Sequence, residues 1–282
     1  MVAVRRVVFV ADDLGISPGV NEGIAAAARA GLVREASLCV NGAAVAAGVQ
    51  LAHELGIGIG LHLCFTLGRA LSGPIRGLTD AQGNFGGLGR ALVRCQLHRV
   101  DRASVRREVE AQLARLRELG VQATHANGHH HAHCWPVVRD EALAAFARAG
   151  IRWTRAPREL PAVGSRWQPL RLVLATLSQR SRAPLAAAGL RTLPFLGSTL
   201  EARLDHRPRF LAALERLPAG DCEWMVHPRV PDAEFTRLDP LGGRLDAAAR
   251  AELTTLTDPA VHERLRELGI VPASYAEIAA TS

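Results

Sequence analysis

The chain has 282 residues, 48% apolar and 22% charged, the balance of an ordinary globular protein that folds in water. That length buries a large core and fits one α/β barrel or two small domains. Its 34 basic residues are all Arg, which excludes a phosphate-loop Lys, a Schiff-base Lys and a Lys general base; set against 27 acids they give a net charge of +7.

No run approaches the roughly 18–20 apolar residues of a transmembrane segment. Met1 to Arg6 leads straight into an apolar strand without the long apolar core of a secretory signal, so a cytoplasmic location is expected. The basic excess concentrates between Arg148 and Arg191, with nine Arg against the single acid Glu159. It suits an anionic or lipid substrate group, or a solvated face. Aromatics are only 4% and do not interleave with the basic residues, which argues against nucleic acid as a partner. The five cysteines form no Cys-x-x-Cys pair, so a disulfide framework and a thiolate zinc knot are both disfavoured. Cys64 and Cys134 read as small apolar fillers.

In chain order, Val4 to Ala11 is a nearly continuous β-branched run ending in Asp12-Asp13, the pattern of a fully buried parallel strand. Val20 to Ala30 reads as a helix stopped by Gly31, Ala36 to Asn41 as a second strand, and Ala43 to Leu55 as a second helix closed by Gly56. Ile57 to Leu63 is a third strand with His62 near its end. Leu67 to Phe85, rich in Gly, Pro, Asp and Asn, reads as a long loop. Ser104 to Leu119 is an amphipathic helix, with Val105, Val109, Leu113 and Leu116 at helical spacing. The fourth strand and its exit carry His125-Ala126-Asn127-Gly128-His129-His130-His131-Ala132-His133, and Pro136 opens the next helix. Ile151 to Thr154, Leu190 to Leu193 and Cys222 to Val226 are further strand candidates. Val261 to Leu268 is a late helix, and a last strand lies near Ile270 to Ala273. Alternation at this rhythm, without a Gly-x-Gly-x-x-Gly turn, predicts an α/β fold: a single-domain distorted (β/α) barrel of about seven parallel strands. Residues 1–282 form one domain in this reading, with an irregular Arg-rich excursion, or lid, around 155–188.

Five of the eleven histidines fall within nine residues of the fourth segment. If that stretch is extended, His125, Asn127, His129, His131 and His133 share one face and His130 takes the other. Imidazole is the commonest metal ligand and the usual proton-transfer group near neutral pH. The other isolated polar residues, Asp12, Asp13, Asn41, His62 and His227, also fall at strand C-terminal ends, the edge where (β/α) barrels assemble their active sites. Asp12 and Asp13 follow a buried strand, where an unpaired carboxylate is costly. Neighbours on a strand point oppositely, so both serve one site only if the backbone turns, which Leu14-Gly15 permits. One carboxylate on a metal and the other as general base is the economical division. His227 is placed to donate a proton to a leaving group. His53, His98, His206 and His262 read as structural or solvated. A carboxylate and two imidazoles leave open positions on a divalent ion, zinc or magnesium, with the imidazoles favouring a zinc-like ion. The chemistry is hydrolysis of an acyl or phosphoryl bond.

Several segments resemble the YdjC-like carbohydrate deacetylase family, which includes chitooligosaccharide deacetylases. They are Ala11-Asp12-Asp13-Leu14-Gly15-Ile16-Ser17 with Val20-Asn21-Glu22-Gly23-Ile24, Gly60-Leu61-His62-Leu63, and the histidine tract through Pro136. Met225-Val226-His227-Pro228 and the region from Asp258-Pro259-Ala260-Val261 through Gly269-Ile270 to Tyr275 complete the set. The resemblance spans almost the whole chain. It implies a distorted (β/α) barrel and hydrolysis of an N-acetyl group from an amino sugar by metal-activated water. By position it implies one divalent cation on Asp13, His62 and His129, Asp12 as general base, and His227 as assisting acid or orienting residue. His131 and His133 would line the site, with Asn41 and Asn127 contacting substrate or supporting ligands. Many members carry Asp where this chain has Asn127. Asn there is similar to the branch associated with hopanoid biosynthesis, whose substrates are lipid-linked amino sugars. A homodimer is compatible with the family. Two other classes stand beside this expectation: a metal phosphoesterase on a similar barrel, and a non-catalytic metal- or sugar-binding protein.

Overall fold

Val7, Val8, Phe9, Val10 and Ala11 are all fully buried, so the first strand is covered on both faces. Its near-continuous apolar run is what a parallel strand between a helical layer and a barrel interior requires. The computed structural model describes residues 5–157, 169–197 and 206–281. Its strands are β1 (Arg5–Leu14), β2 (Val33–Leu38), β3 (Gly58–Leu63), β4 (His125–Gly128), β5 (Trp153–Thr154), β6 (Gly220–Val226) and β7 (Ile270–Pro272). The helices are α1 (Pro18–Arg29), α2 (Val45–Leu55), α3 (Leu88–Gln96), α4 (Arg102–Glu118), α5 (Pro136–Arg148) and α6 (Pro169–Ala187). After them come α7 (His206–Glu215), α8 (Ala233–Leu238), α9 (Pro240–Gly243), α10 (Asp246–Leu256), α11 (Pro259–Glu267) and α12 (Tyr275–Ala279).

Every strand pairing is parallel, in the order β5-β4-β3-β2-β1-β6, with β7 beside the start of β1. The sheet curls into the expected distorted barrel. Leu190 to Leu193, expected as a strand, forms one isolated bridge, Arg191 with Trp153, and Phe195 just beyond it bridges Glu223. Those two contacts span the interval between β5 and β6. Pro194 cannot donate to a ladder, which limits pairing there to single bridges.

Alternation along the strands separates two environments. Val7, Phe9, Ala11, Ala36, Leu38, Leu61, Ala126, Trp224 and Val226 belong to the large core under the helices. Val8, Val10, Trp153, Leu193, Tyr275 and Ile278 form a smaller cluster that floors the barrel interior. Above that floor the interior is polar rather than filled with aliphatic layers. Glu35, Ser37, His125, Asn127, Arg155 and Glu223 are all buried there, and each needs partners to offset its desolvation. His125 bonds Ser37 at 2.9 Å, and Thr124 donates to Glu35 at 2.7 Å. Gly60 makes room for this layer, because a Cβ at that position would lie 2.4 Å from the His125 ring.

The irregular Arg-rich excursion expected around 155–188 contains a long helix. Residues 158–168 lie outside the described part, while Pro169–Ala187 is helix α6. Its pattern is masked in sequence because Ser178 and Ser181 share the buried face with Leu177 and Leu185, and because Pro184, a helix breaker by type, lies inside it. The Ser181 hydroxyl donates a hydrogen bond to the Leu177 carbonyl at 2.8 Å, which lets it be buried. No helix among the described residues is long and apolar enough to cross a membrane.

Candidate metal and catalytic site

Asp12 and Asp13 reach one site because the chain turns at Asp13 itself, whose φ is +74°. Asp is among the few residues that tolerate this region. The turn coincides with a register shift between Ala11 and Leu14 in the β1–β2 ladder. Gly15, expected to supply the turn, also has positive φ, at +85°.

The histidine tract departs from the expected geometry. It is extended only as far as Gly128, and His129–Cys134 form a tight turn in which His130 and His131 adopt left-handed φ of 52° and 55°. The shared face therefore ends at Asn127, and the later histidines are arranged by the turn. The sequence pattern concealed this, since nothing between Asn127 and His133 distinguishes an extended run from a coiled one except Gly128.

The structure nevertheless brings the central residues together. Asp13 Oδ1 lies 3.2 Å from His62 Nε2 and 2.9 Å from His129 Nδ1. All three are buried, with exposures of 2–5%. The Cys39 thiol joins Asp13 and His62 with ligand atoms mutually within 4.8 Å, and His129, His130 and Asp239 form a second such group. Burial pushes the Asp13 carboxyl up, but His129 and His62 outweigh it and hold it well below its usual range. Burial pushes His129 down, and Asp13 more than reverses this, leaving it above its ordinary value. A buried carboxylate that draws a proton onto its neighbouring imidazole is a site demanding positive charge. That demand, with the His62 Nε2 and His129 Nδ1 nitrogens both in reach of Asp13, fits a divalent cation.

Asp12 sits one residue earlier and faces the barrel interior. Arg155 grips it in a fork, Nη1 to Oδ2 at 2.5 Å and Nη2 to Oδ1 at 3.0 Å, and passes its Nε–H to Glu223 at 2.5 Å. Burial raises the Asp12 carboxyl, but the Arg155 charge, with His62 and His227, overrides it and keeps Asp12 ionised. Asn127 ties the layers together, accepting from His62 Nδ1 at 2.6 Å and donating to Asp12 at 3.0 Å and to Ser37 at 2.9 Å. His62 Nδ1–H is thereby committed to Asn127, which leaves Nε2 facing Asp13.

His227 Nε2 stands 4.0 Å from Asp12 Oδ2, with its side chain 18% exposed at the mouth. Glu252 accepts its backbone N–H at 2.5 Å. His131 is held neutral by burial and the Arg155 charge, and packs edge-on against Phe195. His133 supports the site from behind: its Nε2–H bonds the Arg155 carbonyl at 2.9 Å, and burial pushes its pKa down to about 3. Asn41 lies at the rim and donates to the Leu67 carbonyl at 3.1 Å, anchoring the long loop after β3. Sequence reasoning missed Cys39, Arg155, Glu223 and Asp239. Glu223 and Arg155 did leave a signal, as single charges inside or just after apolar strands. Arg155 also spends one charge of the Arg-rich segment internally, where no anionic substrate meets it.

The family model for YdjC-like protein matches residues 6–267. The chain is 38% identical to a carbohydrate deacetylase of Mus musculus, across 84% of this chain and 81% of the relative. It is 35% identical to a carbohydrate deacetylase of Homo sapiens, across 94% and 88%. It is 31% identical to a chitooligosaccharide deacetylase of Enterobacter sp. (strain 638), across 95% and 97%. A solved structure of a proposed cellobiose-phosphate cleavage protein from Enterococcus faecalis V583 superposes with a TM-score of 0.75 at 21% identity, covering 98% of this chain and 99% of that one. That likeness concerns the fold alone. With a matched model that runs from β1 to the end of α11, and relatives aligned over most of its length, the chain belongs to the YdjC-like family.

Proposed function

We propose that this protein is a metal-dependent carbohydrate N-deacetylase that removes the acetyl group from an N-acetylated amino sugar. One observation carries the reading: Asp13, His62 and His129 meet at the barrel mouth beside a second carboxylate, Asp12, that is held ionised. The names of the relatives support the substrate class. Asp13, His62 and His129 would hold one divalent cation, with Cys39 adjacent. Such an ion acidifies water and polarises an amide carbonyl.

The protein's own groups supply the rest. Asp12 accepts the proton of the attacking water, and Arg155 and Asn127 fix its two oxygens so that it enters the reaction as an anion. His227, partly exposed and 4.0 Å from Asp12, delivers a proton to the departing amine. Asn127 holds His62 in the tautomer whose Nε2 faces Asp13. Asn127 has no charge, so it adds no further anion beside Asp12, whose charge Arg155 balances while also holding Glu223. All five cysteines are unpaired, which suits the reducing cytoplasm. A lipid-linked or anionic aglycone is part of this proposal, carried by the Arg residues between Arg148 and Arg191 that remain at the surface.

The test is a panel of N-acetylglucosamine-containing oligosaccharides and glycolipids, assayed by acetyl mass loss with metal content measured on the same sample. Acetate release at one ion per chain, abolished by chelation, is expected. Turnover of phosphate esters alone, with two ions per chain, would establish the phosphoesterase instead. Metal binding without turnover of either would place the chain among binding proteins.

A further inference from the structure

His129 has two ring nitrogens with different surroundings. Nδ1 is 2.9 Å from Asp13, on the side where His62 also converges. Nε2 is buried and makes no hydrogen bond of normal length among the described residues. The carboxylate facing it is Asp239, whose Oδ2 lies 3.5 Å away and which is itself 7% exposed. A buried imidazole nitrogen aimed at a buried carboxylate is an arrangement that needs a reason, since leaving either group unpaired is costly.

Asp239 is built into place. It joins α8 to α9, with its backbone N–H bonded to the Phe235 carbonyl at 2.8 Å and its own carbonyl accepting from Gly243 at 2.8 Å. A Cβ on Gly242 would lie 2.4 Å from Asp239 Oδ2 and 2.9 Å from the Phe235 ring, so only glycine lets the carboxylate sit there without displacement. The aromatic ring of His130 leans on His129 at 4.1 Å between centroids, closing the other side.

We infer that Asp239 is a positioning residue for the metal site: it accepts the Nε2–H of His129 and so leaves the Nδ1 electron pair toward Asp13 and His62. Asn127 does the same for His62 from the opposite side, through Nδ1. Two imidazoles are thus oriented by two different partners, one neutral and one charged. Ligating histidines commonly hand their second N–H to a carboxylate, which raises their basicity and fixes the ring. The inference rests on the ligand set proposed above.

Zinc affinity, measured by competition with a chromophoric chelator, is compared for the full-length wild type, Asp239→Asn, Asp239→Ala and Gly242→Ala. The order expected is wild type, then Asp239→Asn, which keeps an acceptor but loses the charge, then Asp239→Ala, weaker than wild type by about 10–100-fold. Gly242→Ala, which only displaces the carboxylate, falls between wild type and Asp239→Ala. Nitrogen-15 NMR of the zinc-loaded wild type, with His129 assigned by His129→Gln, shows the proton on Nε2 and the metal shift on Nδ1. Apo-protein melting temperatures separate loss of affinity from loss of fold. Wild-type affinity in Asp239→Ala, or zinc on His129 Nε2, overturns the inference while leaving the ligand set intact. A second ion per chain held by His129, His130 and Asp239 also overturns it, because Asp239 would then be a ligand. A wild type that binds no zinc refutes the ligand set itself.

Discussion

Replacing Arg155 with Met removes the cation that stands between Asp12 and Glu223. The guanidinium is completely buried, and its two carboxylate partners are 2% and 1% exposed at the side chain. Water cannot take over its role at any of the three contacts, which measure 2.5, 3.0 and 2.5 Å. Taking one partner from a buried ion pair costs about 3–5 kcal/mol, because the remaining charge is stranded in low dielectric. Met replaces much of the Arg stem volume, so the loss reports mainly on charge rather than on a cavity. Against a domain stability of about 5–15 kcal/mol, the variant stays folded but is visibly weakened. Urea denaturation of both proteins in chelator gives the difference directly.

The pH dependence has a definite sign. In the wild type the folded pKa of Asp12 is depressed by Arg155, below the unfolded value of about 3.9. Its contribution is complete above that value and is lost as pH falls through the folded one. In Arg155→Met, burial raises the Asp12 carboxyl against only the smaller opposition of His62 and His227, so the penalty is greatest at neutral pH and relaxes as acid protonates it. The gap between the two proteins narrows from pH 7 toward about pH 4. The Arg155→Met/Asp12→Asn double variant recovers part of the loss, a coupling of about 0.5–3 kcal/mol. A gap under about 1 kcal/mol at pH 7, or one that does not change with pH, would refute the reasoning.

Asp12→Asn lowers the deacetylation rate by about 10²–10⁴-fold while bound metal per chain is unchanged, measured by acetate release and elemental content. In Gly23→Ala the helix propensity favours Ala, yet the new Cβ would lie 2.4 Å from Arg229 Cα and 2.5 Å from the Pro228 carbonyl. Overpacking wins, with a loss of about 1–3 kcal/mol read from thermal or urea melting. Burial raises the Glu252 carboxyl, but the hydrogen bond and charge of His206, with His227, leave it below its ordinary value. Its stabilisation is therefore complete above about pH 4.3 and is lost as pH falls through the folded value. Glu252→Gln flattens the acid limb of the stability–pH curve, and an unchanged limb would exclude Glu252 from that role.

Much of the barrel was legible because each early strand carries its own punctuation. The run ending at Asp12, the helix stopped at Gly31 and the helix closed at Gly56 recur in the structure within a few residues. Polar residues at the ends of buried strands pointed to the candidate site, and the structure brings Asp12, Asp13, His62 and His129 close together there. Register could not be read that way. The left-handed turn at His130 and His131 breaks an alternation that composition suggests is continuous. Cys39 carried no motif of its own, and only tertiary closure of β2 against β1 and β3 sets its thiol near Asp13 and His62. Asp239 precedes a proline in an irregular stretch and left no periodic trace. Glu35 and Glu223 carried a signal that was passed over: an acid buried inside a strand is affordable only with a partner, here Thr124 or Arg155.

The convergence of Asp13, His62 and His129 on one cation is tested most directly by anomalous diffraction from crystals grown with zinc. A single anomalous peak in contact with Asp13, His62 Nε2 and His129 Nδ1 is predicted, with Asp12 near but not bound. A peak seated instead on His129, His130 and Asp239 without Asp13 or His62, or no peak at the barrel mouth at saturating zinc, would contradict it.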